Sequence, residues 1–367
     1  MARYVIVGGV AGGATAAARL RRQDEAAEIV ILERGEYVSF ANCGLPYYVG
    51  GVIGERDALL VSTPQKLREE LAVDVRTRHE VLGIDREAKA VAVRDLSTGD
   101  EYRLSYDKLI LTPGARPVVP PIPGVDLPGV YTLRTIPDTD VIKRMVDEGG
   151  VESAVVVGGG FIGLEMAENL IHRGVRVTIV EMMNQVLAPL DYEMAALVHD
   201  HLREQGVVLA LGSALEAIEE ALGGGLLVRT ANGSAERVDM VVLAIGVRPE
   251  SGLAQEAGLE IGPRGHVVTD EHLRTSDPDI YAVGDAIQVV NPVTGAPCAV
   301  PLAGPANRQA RIAADHITGD AEARYRGTLG TSIVKVFDLT VATTGTNARG
   351  LEGAGVPFAA SVTHSQD

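Results

Sequence analysis

Near the N-terminus, hydrophobic and polar positions follow first a strand pattern, then a helix pattern, then a strand pattern again. A short apolar run, Val5 to Val7, leads into a glycine-rich turn. An alanine-rich segment with helical periodicity follows from about Ala14 to Arg22. The next apolar run, "EIVILERG", ends its strand at Glu33. This order predicts a βαβ unit.

The turn and the acid of this unit have the spacing of a dinucleotide site. Gly8, Gly12 and Gly13 lie in the turn, and Glu33 follows Gly13 by 20 positions. At that spacing an acidic side chain reaches the ribose hydroxyls of a dinucleotide whose pyrophosphate sits on the helix N-terminus. Val10 stands where the strict glycine pattern has its middle glycine. A βαβ unit without a nucleotide therefore stays an open alternative.

A second copy of the pattern begins at "SAVVVGGGFIGLEMAENL". Gly158, Gly160 and Gly163 satisfy the strict pattern, and Glu181 closes the next strand 18 positions after Gly163. Two such units predict two dinucleotides on one chain. The strand-end acid favours NADH over NADPH because it repels a 2′-phosphate, although NADPH remains possible.

The remaining patterns divide the chain further. "AKAVAVRDL" and "DEYRLSYDKLILTPGARP" predict a β-meander, and "PVVPPIPGVDLPG" predicts a linker into the second unit. The chain returns near residue 248, and Asp285 follows a strand in "YAVGDA". A helix is expected from about Pro305, and strands of a third unit from about Tyr325.

Composition and charge exclude several function classes. The 367 residues are 46% hydrophobic and 22% charged, as in a soluble globular protein, and aromatic residues make up only 4%. A net charge of −16 argues against nucleic acid or an anionic membrane as partner. No apolar run is long enough to span a membrane, and the first strand leaves no room for a signal peptide, so a cytoplasmic protein is expected. Two cysteines far apart, with no CxxC, predict neither a disulfide scaffold nor a metal site.

One cysteine lies in an unusual stretch, "SFANCGLPYYVGG". Asn42 is a good helix N-cap, Pro46 is tolerated in a first turn, and two glycines after Val49 would end the helix. Cys43 is then expected at a helix N-terminus, where the dipole favours the nucleophilic thiolate. A small buried apolar residue is the alternative.

Together these segments resemble the two-dinucleotide flavoprotein disulfide reductases over nearly the whole chain. "LTPGA" is similar to the threonine-containing turn at the family's domain crossing, and "YAVGDA" to its second FAD motif. The resemblance implies an α/β fold with two Rossmann-like dinucleotide-binding domains. Its expected divisions are 1–118 and 249–322 for the two parts of the FAD domain, 119–248 for the NAD(P)H domain, and 323–367 for an incomplete α+β dimerisation domain.

The resemblance also implies the residues at each cofactor. For FAD these are Gly8, Gly12, Gly13, Glu33, Arg34, Val81, Thr112, Gly114, Asp285 and Ala303. For NAD(P)H they are Gly158, Gly160, Phe161, Ile162, Gly163, Glu165, Glu181 and Gly246. Phe161 would shield the flavin or simply belong to the core, and Glu165 would orient the nicotinamide or pair with a cation. The helix near Pro305 would point its positive end at the flavin.

Within the family, position 48 decides the branch. Members with an internal disulfide carry C-x4-C, whereas Tyr48 stands here, so Cys43 is expected to act alone. The stretch is similar to that of coenzyme A disulfide and persulfide reductases, which implies a mixed disulfide between Cys43 and coenzyme A as the electron acceptor. Coenzyme A contacts would fall at Thr15, Arg19, Arg22, Ser39 and Asn42. Coenzyme A disulfide, persulfide and polysulfide all remain open as acceptors.

Three alternatives stay open. An NADH oxidase or peroxidase would cycle Cys43 through sulfenic acid, but the histidine typical of that branch is replaced by Ala11. The others are an electron-transfer reductase and a nucleotide-binding module without turnover. Relatives continue beyond the last residue to complete a dimer interface, and some add a rhodanese domain. The expectation is a homodimer in the full-length form and a truncated chain here.

Overall fold

The computed structural model describes residues 1–363 of the chain. The helices are α1 (Ala11–Gln23), α2 (Leu45–Val49), α3 (Pro64–Leu71), α4 (Ile136–Asp147), α5 (Phe161–His172), α6 (Tyr192–Glu204), α7 (Gly252–Glu256), α8 (Ala303–Ile317) and α9 (Ala348–Gly353). The strands are β1 (Arg3–Val7), β2 (Glu28–Glu33), β3 (Asp74–Thr77), β4 (His79–Asp85), β5 (Ala90–Asp95), β6 (Glu101–Ser105), β7 (Lys108–Leu111), β8 (Ala115–Pro117), β9 (Val130–Thr132), β10 (Ser153–Val157), β11 (Arg176–Glu181), β12 (Val208–Leu211), β13 (Leu215–Glu220), β14 (Leu226–Thr230), β15 (Ala235–Val238), β16 (Met240–Leu243), β17 (Val247–Pro249), β18 (Val267–Val268), β19 (Ile280–Ala282), β20 (Ile287–Val290), β21 (Pro297–Cys298), β22 (Ser332–Val336) and β23 (Leu339–Thr343).

Two parallel five-stranded sheets form the centre of the fold. The first has the order β19-β7-β1-β2-β3 and the second β12-β11-β10-β16-β9. In each, the strand before the glycine turn lies in the middle, and its helix crosses to the next strand. Ligand crevices in such sheets open at the carboxyl ends of the strands. The predicted α/β class with two Rossmann-like units is confirmed.

The strands outside these sheets connect and cover them. Two strands of the predicted meander, β5 and β6, form an antiparallel sheet with β4, and β13-β14-β15 is its counterpart in the second unit. The third, β7, was wrongly placed in the meander, because it pairs in parallel with β1 in the first central sheet. Where the predicted linker begins lies a short strand that sequence analysis missed: β8 pairs antiparallel with β17, so the chain enters and leaves the second unit side by side. The predicted boundaries at 118 and 248 fall at these two crossing strands. The domain divisions themselves stay predictions, and residues 364–367 of the last one lie outside the described residues.

The apolar side chains form separate cores. One cluster fills the first sheet and its helices, and two others cover the faces of the second sheet. Leu45, Tyr48 and Val49 of α2 belong to the second unit's core, together with Val336 and Phe337 of the β22–β23 hairpin. The segment that carries Cys43 is thus anchored on the second unit, although the chain places it within the first.

The helices and strands predicted from local sequence patterns are observed, with small differences in where they begin. The strand ending at Glu33 is confirmed, and α1 begins three residues earlier than predicted, at Ala11. The helix expected from Pro305 begins at Ala303, with the proline in its first turn. The C-terminal strands are the hairpin β22–β23.

Within residues 1–363, no helix is both long and apolar enough to span a bilayer.

Candidate functional site

The first glycine turn is closed by backbone contacts that only glycine permits. Gly8 has φ +96°, and a Cβ there would lie 2.3 Å from the carbonyl oxygen of Thr112. A Cβ on Gly13 would lie 1.9 Å from the Gly8 oxygen. The Thr112 hydroxyl donates to the Val7 and Gly8 oxygens at 3.0 and 2.8 Å. These contacts draw α1 tightly against β1 and β7.

The second turn repeats this construction. Gly158 has φ +107°, and its Cβ would meet the Ala244 oxygen at 2.4 Å, while a Cβ on Gly163 would meet the Gly158 oxygen at 2.0 Å. Around Gly160 the space is open, since a Cβ there would meet no atom within 4 Å. A phosphate can therefore approach the backbone at the start of α5, as in a dinucleotide cradle.

Each of the two strand-end acids is hydrogen-bonded to the backbone of its own glycine turn. Glu33 accepts a hydrogen bond from the Gly9 N–H at 2.8 Å, and Glu181 accepts one from the Gly159 N–H at 2.7 Å. Each carboxylate thus lies beside its turn, where the ribose of a bound dinucleotide is expected. Val10 takes φ −90°, a backbone conformation open to any residue, so the backbone of the first turn does not require glycine there.

Asp285 lies at the carboxyl end of the first sheet, in the short turn after β19. Burial raises the pKa of its carboxyl, and the charge of Arg134 opposes that rise. The side chain of Gln309 on α8 accepts a hydrogen bond from the Gly284 N–H at 2.8 Å and so fixes this turn. Two dinucleotides therefore fit this arrangement, which combines the open cradle at Gly160, the two strand-end acids and a half-buried aspartate at the edge of the first sheet.

The other predicted cofactor residues have varied surroundings. Arg34 pairs with Glu250 at 3.6 Å, and Val81 lies in β4, half-buried against the first core. A Cβ on Gly114 would meet the Arg134 guanidinium at 2.8 Å. Four more lie at element ends: Ala303 opens α8, Phe161 and Ile162 open α5, and Gly246 follows β16 with φ +109°. Phe161 is partly buried against the second core, and Ile162 is 39% exposed. No single contact assigns these residues a role.

Cys43 sits in a one-turn 3-10 helix, Asn42–Gly44, directly before α2. The predicted Asn42 cap is wrong: this residue lies within the turn and makes no capping hydrogen bond. The predicted end of the helix is confirmed, because α2 stops at Val49 with Gly50 as its C-cap. The thiol is exposed to solvent, so the alternative of a buried apolar cysteine is wrong.

The expected lowering of the Cys43 pKa is also wrong, because the protein groups around the thiol raise it. Partial desolvation and the negative charge of Glu165 raise the pKa of the thiol, and a hydrogen bond involving its own backbone opposes them. The physical reason is that α2 has only five residues, which gives a weak dipole, while a carboxylate of α5 lies nearby.

Glu165 links Cys43 to the second unit. Tyr47, one turn after Cys43, donates to the Glu165 carboxylate at 3.4 Å. Burial raises the pKa of Glu165 to about 7, and the Tyr47 hydrogen bond opposes that rise. Within residues 1–363 this carboxylate has no cation partner, so the predicted alternative of a simple ion pair is not observed. Sequence analysis missed Tyr47, which its spacing of four from Cys43 could have indicated.

Four of the five predicted coenzyme A residues line one cavity of about 270 Å³ between α1 and α8. They are Thr15, Arg19, Arg22 and Ser39. Asn42 is not in this lining, although it neighbours Cys43. Arg311 of α8 is a cavity residue that sequence analysis missed, since only the tertiary packing of α8 on α1 brings it there.

Known proteins resemble the whole described fold. The model of the pyridine nucleotide-disulphide oxidoreductase family matches residues 2–309. Coenzyme A disulfide reductase of Staphylococcus haemolyticus is 36% identical over 94% of this chain and 77% of its own. The reduced CoADR-RHD of Bacillus anthracis is 52% identical with a TM-score of 0.95, and the NAD-dependent persulfide reductase of A. fulgidus is 42% identical with a TM-score of 0.93. These two solved structures match 97% and 96% of this chain, which spans 64% and 66% of their lengths.

Two glycines of the second turn give a matched test of the cradle. Gly163→Ala should lower the free energy of unfolding by about 1–3 kcal/mol, because its Cβ collides with the backbone. Gly160→Ala should unfold like the wild type but bind NADH about tenfold more weakly, a loss of about 1.4 kcal/mol. Urea unfolding and NADH titration check both. Wild-type NADH affinity in a stable Gly160→Ala protein would contradict the cradle.

Glu165→Gln tests the charge that acts on Cys43. Removing it should lower the thiol pKa, so alkylation of Cys43 by iodoacetamide should become several-fold faster above pH 7. Below pH 7 the difference should fade, because the wild-type carboxyl is then protonated. Mass spectrometry can follow Cys298 in the same sample as the control, since Glu165 does not act on its pKa. Equal acceleration at both cysteines would contradict a local effect.

Proposed function

Since the chain belongs to the pyridine nucleotide-disulphide oxidoreductase family, we propose that it reduces a disulfide or persulfide of coenzyme A with electrons from NAD(P)H. The observation that carries the proposal is the position of Cys43. Its segment begins at the first glycine turn, where the Ser39 N–H donates to the Gly9 oxygen at 2.9 Å. It ends on α5, directly behind the second turn. A single thiol on a segment that contacts both the first glycine turn and α5 suits electron transfer from bound dinucleotides to sulfur.

We assign FAD to the first site and NADH to the second. FAD, when bound, supplies two-electron chemistry, accepting a hydride from NAD(P)H and passing an electron pair to sulfur. The first turn and Glu33 would hold its adenosine end, and Asp285 its ribityl chain. The N-terminus of α8, at Ala303, would face its ring with the positive end of a helix dipole. In the second site, Glu181 would bind the adenosine ribose of NADH.

Cys43 would carry the substrate covalently. Its thiolate attacks one sulfur of coenzyme A disulfide, the disulfide bond breaks, and one coenzyme A thiolate leaves. The new bond joins Cys43 to the second coenzyme A. Two electrons then cleave that mixed disulfide and regenerate the Cys43 thiolate and a second coenzyme A thiol. The sum is one NADH and one proton consumed and two coenzyme A thiols formed.

The proton in this scheme has a candidate holder near the thiol. Glu165, with a pKa of about 7, can hold or release a proton at neutral pH, and its charge is felt at Cys43. Tyr47 fixes the carboxylate through its hydroxyl. We propose that protonation of Glu165 makes the Cys43 thiolate easier to form.

Two further features of the proposal come from relatives and chemistry. Similar proteins are named as a coenzyme A disulfide reductase and a persulfide reductase, so both acceptors are retained.

A homodimer and a cytoplasmic location are also proposed, the latter because a reducing compartment keeps a working thiol reduced. An oxidase is less favoured, since Ala11 at the start of α1 has no group that could donate a proton to peroxide.

Nucleotide preference can be tested at Glu181. Glu181→Gln removes the charge and keeps one oxygen that can accept the Gly159 N–H, while the hydrogen bond from the Met183 N–H is lost. The ratio of kcat/KM for NADH to that for NADPH should fall by about tenfold, because repulsion of the 2′-phosphate is relieved. The exposed Glu193→Gln is the control. A wild type that prefers NADPH would contradict the assignment.

Cys43→Ser tests the proposed function itself. The variant should retain FAD and still be reduced by NADH, since neither nucleotide site uses the thiol. Its reduction of coenzyme A disulfide should fall by about 100-fold or more, because a hydroxyl cannot form the mixed disulfide. Stopped-flow flavin absorbance and steady-state NADH oxidation measure the two steps.

Cys298→Ser is the matched control and should behave like the wild type. Full disulfide reductase activity in Cys43→Ser would overturn the mechanism. NADH-driven oxygen consumption that depends on Cys43, without coenzyme A disulfide turnover, would favour the oxidase instead.

A further inference from the structure

The cavity between α1 and α8 has an unusual charge for this protein. Its lining holds three arginines and no acidic residue, in a chain with a net charge of −16. The full lining is Ala14, Thr15, Ala18, Arg19, Arg22, Ser39, Leu67 and Arg311. Ser39 is four residues before Cys43, so the cavity adjoins the thiol's own segment.

Arg19 is already neutralised within the protein. Its guanidinium donates to the Asp315 carboxylate through two nitrogens, at 2.6 and 3.0 Å. Gln23 donates to the same carboxylate at 3.0 Å. The charge expected from Arg19 is therefore balanced, and this residue is fixed as one wall of the cavity.

Arg311 makes no ion pair with the nearest acid on its own helix. Asp315 lies four residues after it on α8, the spacing at which helical ion pairs form. The Asp315 carboxylate instead accepts hydrogen bonds from Arg19 and Gln23. In the described part of the chain, neither Arg22 nor Arg311 has an ion-pair partner or a side-chain hydrogen bond.

Two unpaired guanidinium groups at one cavity favour an anion. Their mutual repulsion is relieved when a negative group binds between them, and guanidinium binds phosphate through paired hydrogen bonds. The excess negative charge of the protein opposes anion binding in general, so an anion that binds here does so through these local positive groups.

We infer that Arg311 is a specificity-determining residue that, with Arg22, binds the phosphates of the coenzyme A substrate. It would thereby distinguish coenzyme A from the same thiol arm without its nucleotide. Asp315 acts as a positioning residue, since it holds Arg19 aside and leaves Arg311 free. The inference rests on the proposed function and adds a residue of α8 to it.

The test compares two disulfides that share the thiol arm. Coenzyme A disulfide carries the phosphates and pantethine lacks them. Arg311→Gln should raise KM for coenzyme A disulfide by about tenfold at unchanged kcat, since it removes a charge-assisted hydrogen bond. Kinetics with pantethine should not change. The rise of KM with salt should also be shallower in the variant.

Arg308→Gln is the matched control. Arg308 lies one turn earlier on α8, is also exposed, and is outside the cavity lining. It should behave like the wild type with both disulfides.

The outcomes separate the inference from the proposed function. If Arg311→Gln matches Arg308→Gln with coenzyme A disulfide, the inference is wrong while the function stands. An equal KM rise with pantethine would show a structural role and would also overturn it. A wild type that reduces neither disulfide would refute the proposed function, and the inference with it.

Discussion

The structure depends on how the segment of Cys43 is held between two units. At its start, the Ser39 N–H is hydrogen-bonded to the first glycine turn. At its end, α2 buries Leu45, Tyr48 and Val49 in the core of the second unit, and Arg173, directly after α5, donates to the Val49 oxygen at 3.2 Å. Contacts on both sides thus fix the short segment that carries Cys43 where the two units meet.

The repeated turns explain why one chain can place two dinucleotides so similarly. In both turns a glycine with positive φ allows the backbone after the neighbouring strand of the sheet, β7 or β16, to approach closely. A second glycine lets the first turn of the helix pack against the oxygen of that first glycine. Both strand-end acids accept a backbone N–H from their turn. Apart from Val10 in the first turn and Gly160 in the second, the two turns differ in their surroundings: Asp285 lies beside the first, and α2 packs on the helix that follows the second.

The repeating units were predictable because their signals are local. Glycine spacing, strand-end acids and helical periodicity are all readable within about thirty residues. The errors arose where distant parts meet. The Cys43 pKa depends on Glu165, over a hundred positions later, and Arg311 reaches its cavity only because α8 packs on α1. The crossing pair β8 and β17 was missed for the same reason, since each strand has only three residues and needs the other to form.

The central claim is that Cys43 forms a disulfide with coenzyme A. Intact-protein and peptide mass spectrometry after incubation with coenzyme A disulfide tests it most directly. The account predicts one coenzyme A attached to the peptide that contains Cys43, none at Cys298, and its loss when NADH is added. An unmodified Cys43, or an adduct that NADH does not remove, would contradict the account.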